Sequence, residues 1–131
     1  MSAIALRGVK PALKPDAEAL TKVPPAPAYL SLHAKAEWKR IFPQLIARRI
    51  VTRADLAGVE AYCSAVGICR QIEADRTAAG GVIDKTAFGI WNRAAQTARQ
   101  LASEYGLTPT SRARIGSAAP EDAEDDDPLS V

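Results

Sequence analysis

Five arginines form two short clusters whose side chains are suited to binding phosphate groups. Arg48, Arg49 and Arg53 lie close together in the chain, and Arg112 and Arg114 are separated by one residue. A guanidinium group is always charged and presents a planar fork of N–H donors that matches phosphate oxygens. The same residues have a structural alternative, because arginines near a helix end also compensate the helix dipole or form salt bridges. The residue types alone leave both interpretations open.

Side chains for catalysis or metal binding are scarce. His33 is the only histidine, and it lies at the start of a predicted helix. Cys63 and Cys69 are six residues apart, which places them roughly 240° apart around a helix, too far for a shared metal or a local disulfide. Gly80-Gly81 is not followed by the Gly-Lys-Ser/Thr of a phosphate-binding loop. We therefore predict no catalytic residues, no metal site and no cofactor.

Charge divides the chain into three parts. Residues 1–30 carry four basic and two acidic side chains, and residues 31–116 carry thirteen basic and seven acidic side chains. Residues 117–131 carry six acidic side chains and no basic side chain. The first part also holds five of the nine prolines and two candidate DNA-binding lysines, Lys10 and Lys14. Dense proline opposes helix, and a charged segment without large apolar groups opposes folding. We predict a flexible basic arm, a basic helical domain and a disordered acidic tail, with a polyanion as the partner of the domain.

Apolar residues recur at helical spacing between the two terminal segments. The predicted helices cover residues 32–46, 53–79, 88–105 and about 109–115. The first two helices are predicted to start after the N-caps Ser31 and Thr52, with Asp55 reaching back to Thr52, and the last helix is predicted to start at Thr108-Pro109. The second helix is predicted to end at Gly80-Gly81 and the third at Gly106. Pro43 is expected to kink the end of the first helix. The fold class is therefore all-α, a long antiparallel helical hairpin with a preceding helix and a short C-terminal helix.

The third predicted helix carries a stripe that we interpret as an oligomer interface. Its members recur at heptad-like spacing: Phe88, Trp91, Ala95, Ala98 and Ala102. The chain has 131 residues, of which 47% are hydrophobic and only 5% aromatic, and alanine buries little surface. Such a small core favours oligomers. No apolar run approaches the ~18 residues of a membrane span, so we expect a soluble, intracellular protein without a membrane partner.

Several short motifs resemble the small subunits of tailed-phage terminases. Trp38 in the first helix, Leu45 before a basic turn, Thr52-Arg53-Ala54-Asp55 and Tyr62-Cys63 are similar to the middle of that family. Gly106-Leu107-Thr108-Pro109-Thr110-Ser111-Arg112-Ala113-Arg114 resembles its closing signature, and Pro24 and Pro27 fit its proline-rich leader. The similarity extends over about residues 24–115. The link at residues 81–89 departs from the family pattern, which often has a longer segment containing proline.

The resemblance implies a non-catalytic subunit that assembles as a ring, binds viral double-stranded DNA at the packaging start site and recruits the large terminase subunit. The large subunit would supply the ATPase and nuclease activities, and the complex would act in the host cell cytoplasm. Two other classes are compatible with the residues. A small helical transcription regulator would use the first arginine cluster as a compact dimer on a short palindrome. A structural adaptor of the phage head would not bind DNA at moderate salt.

Overall fold

The structure, a computed structural model, describes residues 18–117 of the chain. Its helices are α1 (Leu32–Arg48), α2 (Leu56–Ala78), α3 (Lys85–Glu104) and α4 (Pro109–Ser117), and a 3-10 turn, Arg53–Asp55, precedes α2. No strand occurs within this range. The all-α prediction is confirmed. The predictions of a disordered segment at residues 1–17 and at 118–131 lie outside the described residues.

Helix α2 is the centre of the fold and packs against both α1 and α3. Both neighbours run antiparallel to it. The start of α2 lies against the end of α3, where a Cβ on Gly58 would be 1.9 Å from Tyr105 Oη, and Gly67 in mid-helix lies against Ala34 at the start of α1. Eleven residues of α2 follow Gly67, from 68 to 78. At 1.5 Å per residue, the α2–α3 hairpin therefore extends about 16 Å beyond the cover of α1.

Side-chain caps set most helix boundaries where the sequence predicts them. Ser31 Oγ accepts a hydrogen bond from Ala34 N at 3.1 Å. Thr52 Oγ1 accepts from Ala54 N at 3.2 Å, while Asp55 Oδ2 accepts from Thr52 N at 2.9 Å. These reciprocal bonds satisfy backbone donors that a helix start leaves without partners. The predicted capping box is confirmed, although its first turn is a 3-10 turn.

Two predicted boundaries are wrong. Helix α1 continues through Pro43 as far as Arg48. Proline removes one backbone hydrogen bond, but Phe42 and Leu45 on either side of it are fully buried, and their packing holds the last turn together. Helix α3 begins three residues earlier than predicted, because Asp84 Oδ2 accepts a hydrogen bond from Ala87 N at 2.8 Å and so caps a start at Lys85.

The proline-rich segment does not extend freely as far as residue 30. Leu20 N donates to Val51 O at 2.8 Å, Trp38 Nε1 donates to Pro24 O at 2.9 Å, and Leu30 is only 4% exposed. A buried indole N–H requires an acceptor. An extended proline segment can supply one, since its carbonyls are not engaged in helical hydrogen bonds. Parts of residues 18–30 therefore contact the helical domain, a docking that the prediction of a flexible arm did not include.

A buried glutamate, which the sequence analysis did not single out, joins α1 to α2. Glu37 is 0% exposed. Its carboxylate accepts hydrogen bonds from Arg40 Nε at 2.8 Å and from Tyr62 Oη at 2.7 Å, and Arg70 Nη2 lies 3.3 Å away. Burial alone raises the pKa of Glu37, but these hydrogen bonds and the charges of both arginines outweigh it, so the pKa lies below its ordinary value of 4.5.

This network makes the stability of the fold pH-dependent. A carboxylate whose pKa is lowered by folding stabilises the native state above its unfolded pKa, and the stabilisation is lost as the pH falls through the folded value. We therefore expect the free energy of unfolding to decrease below about pH 4.5. Glu37→Gln should remove that part of the pH dependence and cost about 1.5–3 kcal/mol at neutral pH, because the buried Tyr62 hydroxyl and the two half-exposed arginines lose their charge-assisted contacts with the carboxylate.

Urea titrations monitored by circular dichroism between acidic and neutral pH would measure both effects. Glu73→Gln is the matched control, because Glu73 also pairs with an arginine three residues away, Arg76, but on the surface. It should change the stability by less than about 1 kcal/mol. Equal pH profiles for the wild type and Glu37→Gln would contradict this role of the buried carboxylate.

Candidate nucleic-acid interface

Both predicted arginine clusters lie at one end of the helical domain, which we call the basic end and define by Arg48, Arg49, Arg53, Arg112 and Arg114. Here α1 ends, α2 begins, α3 ends and α4 begins. Arg48 Nη1 donates to Gly106 O at 2.8 Å across 58 residues of sequence, which fixes the end of α1 to the turn between α3 and α4. The turn before α2 belongs to the same end, because Tyr105 at the end of α3 contacts Gly58.

The two clusters approach each other through Arg48 and Arg112. Burial lowers the pKa of Arg48, and the positive charge of Arg112 lowers it further. Like charges at close range repel, and an anion placed between them relieves that repulsion. The pair is therefore an electrostatically favourable position for a phosphate, which supplies oxygen acceptors and negative charge together.

Most of the basic end is accessible to a large ligand. Arg49, Arg53, Arg112 and Arg114 are exposed, and only Arg48 is half-buried. Arg49 is the C-cap of α1 with a φ of 56°, a left-handed conformation, so its side chain leaves the helix in a direction that differs from that of Arg48. The neighbouring carboxylate of Asp55 is engaged by the Thr52 N–H and hydroxyl. The exposed charge at this end is thus mainly positive, with Glu104 as an exposed acidic neighbour.

Other predicted site residues are not part of this end. Lys10 and Lys14 lie outside the described residues. His33 is half-buried in the first turn of α1. Cys63 is buried and Cys69 is half-buried, and both are free thiols; burial is the main cause that raises the pKa of each. Within residues 18–117, no three side chains of the kinds that bind metals converge.

The opposite end of the hairpin presents apolar side chains to solvent. This hairpin tip comprises Ile72, Val82, Ile83, Ala87, Phe88 and Trp91. These residues line a groove of about 560 Å³, together with the charged residues Glu73, Asp75, Arg76 and Asp84. The exposed fractions are 69% for Val82, 69% for Ile83 and 56% for Phe88. Several large apolar side chains exposed together are typical of an interaction surface.

Trp91 connects the hairpin tip to the packed part of the hairpin. Its ring stacks on Phe88 with the centroids 6.2 Å apart, and its carbonyl accepts a hydrogen bond from Cys69 Sγ at 3.6 Å. The indole Nε1 is buried and has no hydrogen-bond partner among residues 18–117. A buried N–H without an acceptor is destabilising, so this atom is a weak point in the packing of the hairpin.

The predicted interface stripe divides into two halves. Phe88 and Trp91 lie at the hairpin tip, whereas Ala102 is 8% exposed and belongs to the core, and Ala98 packs against that core. Ala95 is half-buried between them. The lower half of the stripe packs mainly on the chain's own core, and the assignment of Ala98 and Ala102 to an oligomer interface stays a prediction. Val82 and Ile83 were not predicted as part of this surface, although two adjacent β-branched residues in a connection between helices are a usable signal.

A helical hairpin with a basic end and an apolar tip offers two surfaces of the kinds that binding proteins use. Comparison with known proteins identifies the family. The profile of the family described as phage terminase, small subunit, matches residues 34–122. The match covers more than half of the chain and includes all four helices except the first two residues of α1. The chain belongs to the phage terminase small-subunit family.

No match was found among curated proteins or among solved structures. In the part of the chain that the structure describes, none of the helices is long and apolar enough to cross a membrane.

Proposed function

We propose that this protein is the non-catalytic DNA-recognition subunit of a phage terminase and that its basic end binds the viral double-stranded DNA. The observation that carries the proposal is the convergence of two arginine clusters, distant in sequence, on one accessible surface. Phosphate contacts from several arginines provide affinity and orientation on the duplex. Lys10 and Lys14 would add contacts from the N-terminal segment, which reaches the domain near Val51 at the same end.

The subunits would assemble through the hairpin tip. It exposes several large apolar side chains together, and it projects beyond α1, where a neighbouring subunit can reach it. A heterologous contact repeated by rotation closes into a ring. A ring would present one basic end per subunit, and the resulting multivalency would strengthen DNA binding beyond that of a single domain.

The large terminase subunit is the expected protein partner. It would supply the ATPase and nuclease activities, while this subunit selects the packaging start site in the host cell cytoplasm. Family membership supports this division of labour.

Titration of labelled duplexes with the full chain, monitored by fluorescence anisotropy, tests the proposal. We expect binding that weakens steeply with salt and that favours viral-end DNA over random sequence. A lack of DNA binding at moderate salt would favour the head-adaptor alternative. Tight binding of a compact dimer to a short palindrome would favour the transcription regulator.

A further inference from the structure

The six acidic residues after Ser117 are joined to the basic end by a short stretch of chain. They are Glu121, Asp122, Glu124, Asp125, Asp126 and Asp127. Helix α4 begins beside Gly106, the residue that Arg48 binds, and it ends at Ser117. From Arg112 to Ser117 the helix rises only about 7.5 Å.

A fully extended chain spans at most about 3.6 Å per residue, so Glu121 lies within about 14 Å of Ser117 and Asp127 within about 36 Å. These limits hold for any conformation. The acidic residues are therefore tethered within reach of the five arginines, whereas the hairpin tip lies about 35 Å away along α2, near the limit of even a fully extended segment.

We propose that residues 118–131 bind to the basic end as an intramolecular occupant that competes with DNA, an inference that rests on the proposed function. The charges are complementary, since the segment carries six carboxylates and no basic residue, whereas the basic end carries five guanidinium groups. Carboxylates and phosphates form the same charge-assisted hydrogen bonds with arginine. Every duplex must displace the acidic segment in order to bind. A random-sequence duplex has only its phosphate contacts to offset that cost, whereas a packaging site offers additional contacts. The segment thereby increases selectivity.

The direct test replaces the six acidic residues by their amides in the full chain: Glu121→Gln, Asp122→Asn, Glu124→Gln, Asp125→Asn, Asp126→Asn and Asp127→Asn. An intramolecular ligand has an effective concentration on the order of millimolar, so its removal should tighten binding to random-sequence DNA by about tenfold at about 50 mM salt. The gain should shrink to less than about twofold at 0.3 M salt, where charge interactions are screened. Unchanged affinity at low salt would overturn the proposal.

A pair of two-charge variants separates local competition from net charge. Asp126→Asn/Asp127→Asn and Ala36→Lys/Gln96→Lys change the net charge equally, but Ala36 and Gln96 are exposed positions outside both the basic end and the hairpin tip. Only the first variant should tighten DNA binding. An equal gain from both would show that the effect is one of overall charge and would overturn the proposal.

A second readout does not involve DNA. A synthetic peptide of residues 118–131 should bind the six-amide chain and should bind about fivefold or more weakly when Arg49→Gly, Arg53→Gln and Arg112→Gln are added, because it loses charge-assisted contacts. Equal binding to both chains would overturn the inference. If the peptide result holds and no chain binds DNA, the proposed function fails while the contact between the acidic segment and the basic end stands.

Discussion

Neutralising Arg49, Arg53 and Arg112 together is expected to weaken the binding of double-stranded DNA by two to three orders of magnitude at about 0.1 M salt. Each arginine that neutralises one phosphate releases condensed counterions, which contributes about 0.9 to the slope of log affinity against log salt concentration. Three lost contacts should therefore reduce this slope by roughly 2.7 for each subunit that contacts the DNA. In an oligomer that contacts DNA through several subunits, the loss would be larger.

The choice of substitutions follows from the structure. Arg49→Gly removes a charge and also suits the left-handed φ of 56°, so the fold should not suffer. Arg53→Gln and Arg112→Gln change exposed side chains. Arg48 is kept, because its hydrogen bond to Gly106 holds the basic end together.

The control variant combines Lys39→Gln, Lys85→Gln and Arg93→Gln, which removes the same charge from exposed positions outside the basic end. Salt-dependent anisotropy titrations would compare the three chains. Equal losses in the two variants would indicate binding by overall charge. If the salt slope of the Arg49→Gly/Arg53→Gln/Arg112→Gln variant equals that of the wild type, the phosphates are contacted instead by Lys10, Lys14 or Arg114.

Phe88→Asp is expected to convert the oligomer into folded monomers. Phe88 is 56% exposed in the single chain, so the substitution should not disturb the fold of the monomer. Loss of a buried phenylalanine costs about 2–3 kcal/mol per contact, equivalent to roughly a hundredfold in affinity. Burying an unpaired carboxylate in the interface adds to that cost.

Sedimentation velocity at micromolar concentration would measure this effect. Leu32→Asp is the control, because Leu32 is 81% exposed at the start of α1 and does not line the hairpin tip. Trp91→Asp should dissociate the oligomer and also destabilise the fold, since Trp91 is half-buried beside Cys69. A monomeric wild type, or equal dissociation by Leu32→Asp, would exclude the hairpin tip as the interface.

Local signals predicted the helices well because caps act over a few residues. Ser31, Thr52 with Asp55, and Gly106 each specify a helix boundary through hydrogen bonds or backbone conformation that the sequence shows directly. The continuation of α1 through Pro43 could not be predicted in this way. It depends on the burial of Phe42, and burial is a property of the complete fold.

Long-range features required the structure. Glu37 and Arg40 resemble a surface ion pair in the sequence, and the approach of Tyr62 and Arg70 from α2 completes the set of partners of the buried carboxylate. The docking of residues 18–30 depends on the indole of Trp38, which finds its acceptor at Pro24.

The candidate sites also depend on the complete fold. Residue types identified both arginine clusters, but their convergence through Arg48 and Gly106 follows from the antiparallel arrangement of the helices. The stripe on α3 has one periodicity throughout, yet Ala102 is in the core and Phe88 is exposed. The difference arises because α1 covers only half the length of α2, which no pattern within α3 can reveal.

The central claim is that the chain forms an oligomer that binds viral DNA through its basic end. The most direct test is the mass of the full chain in solution, measured by mass photometry with and without viral-end DNA. The account predicts a multiple of the 13.9 kDa monomer with more subunits than a dimer, and a further increase when DNA is added. A particle of monomer mass, or an oligomer whose mass does not change when DNA is added at moderate salt, would contradict it.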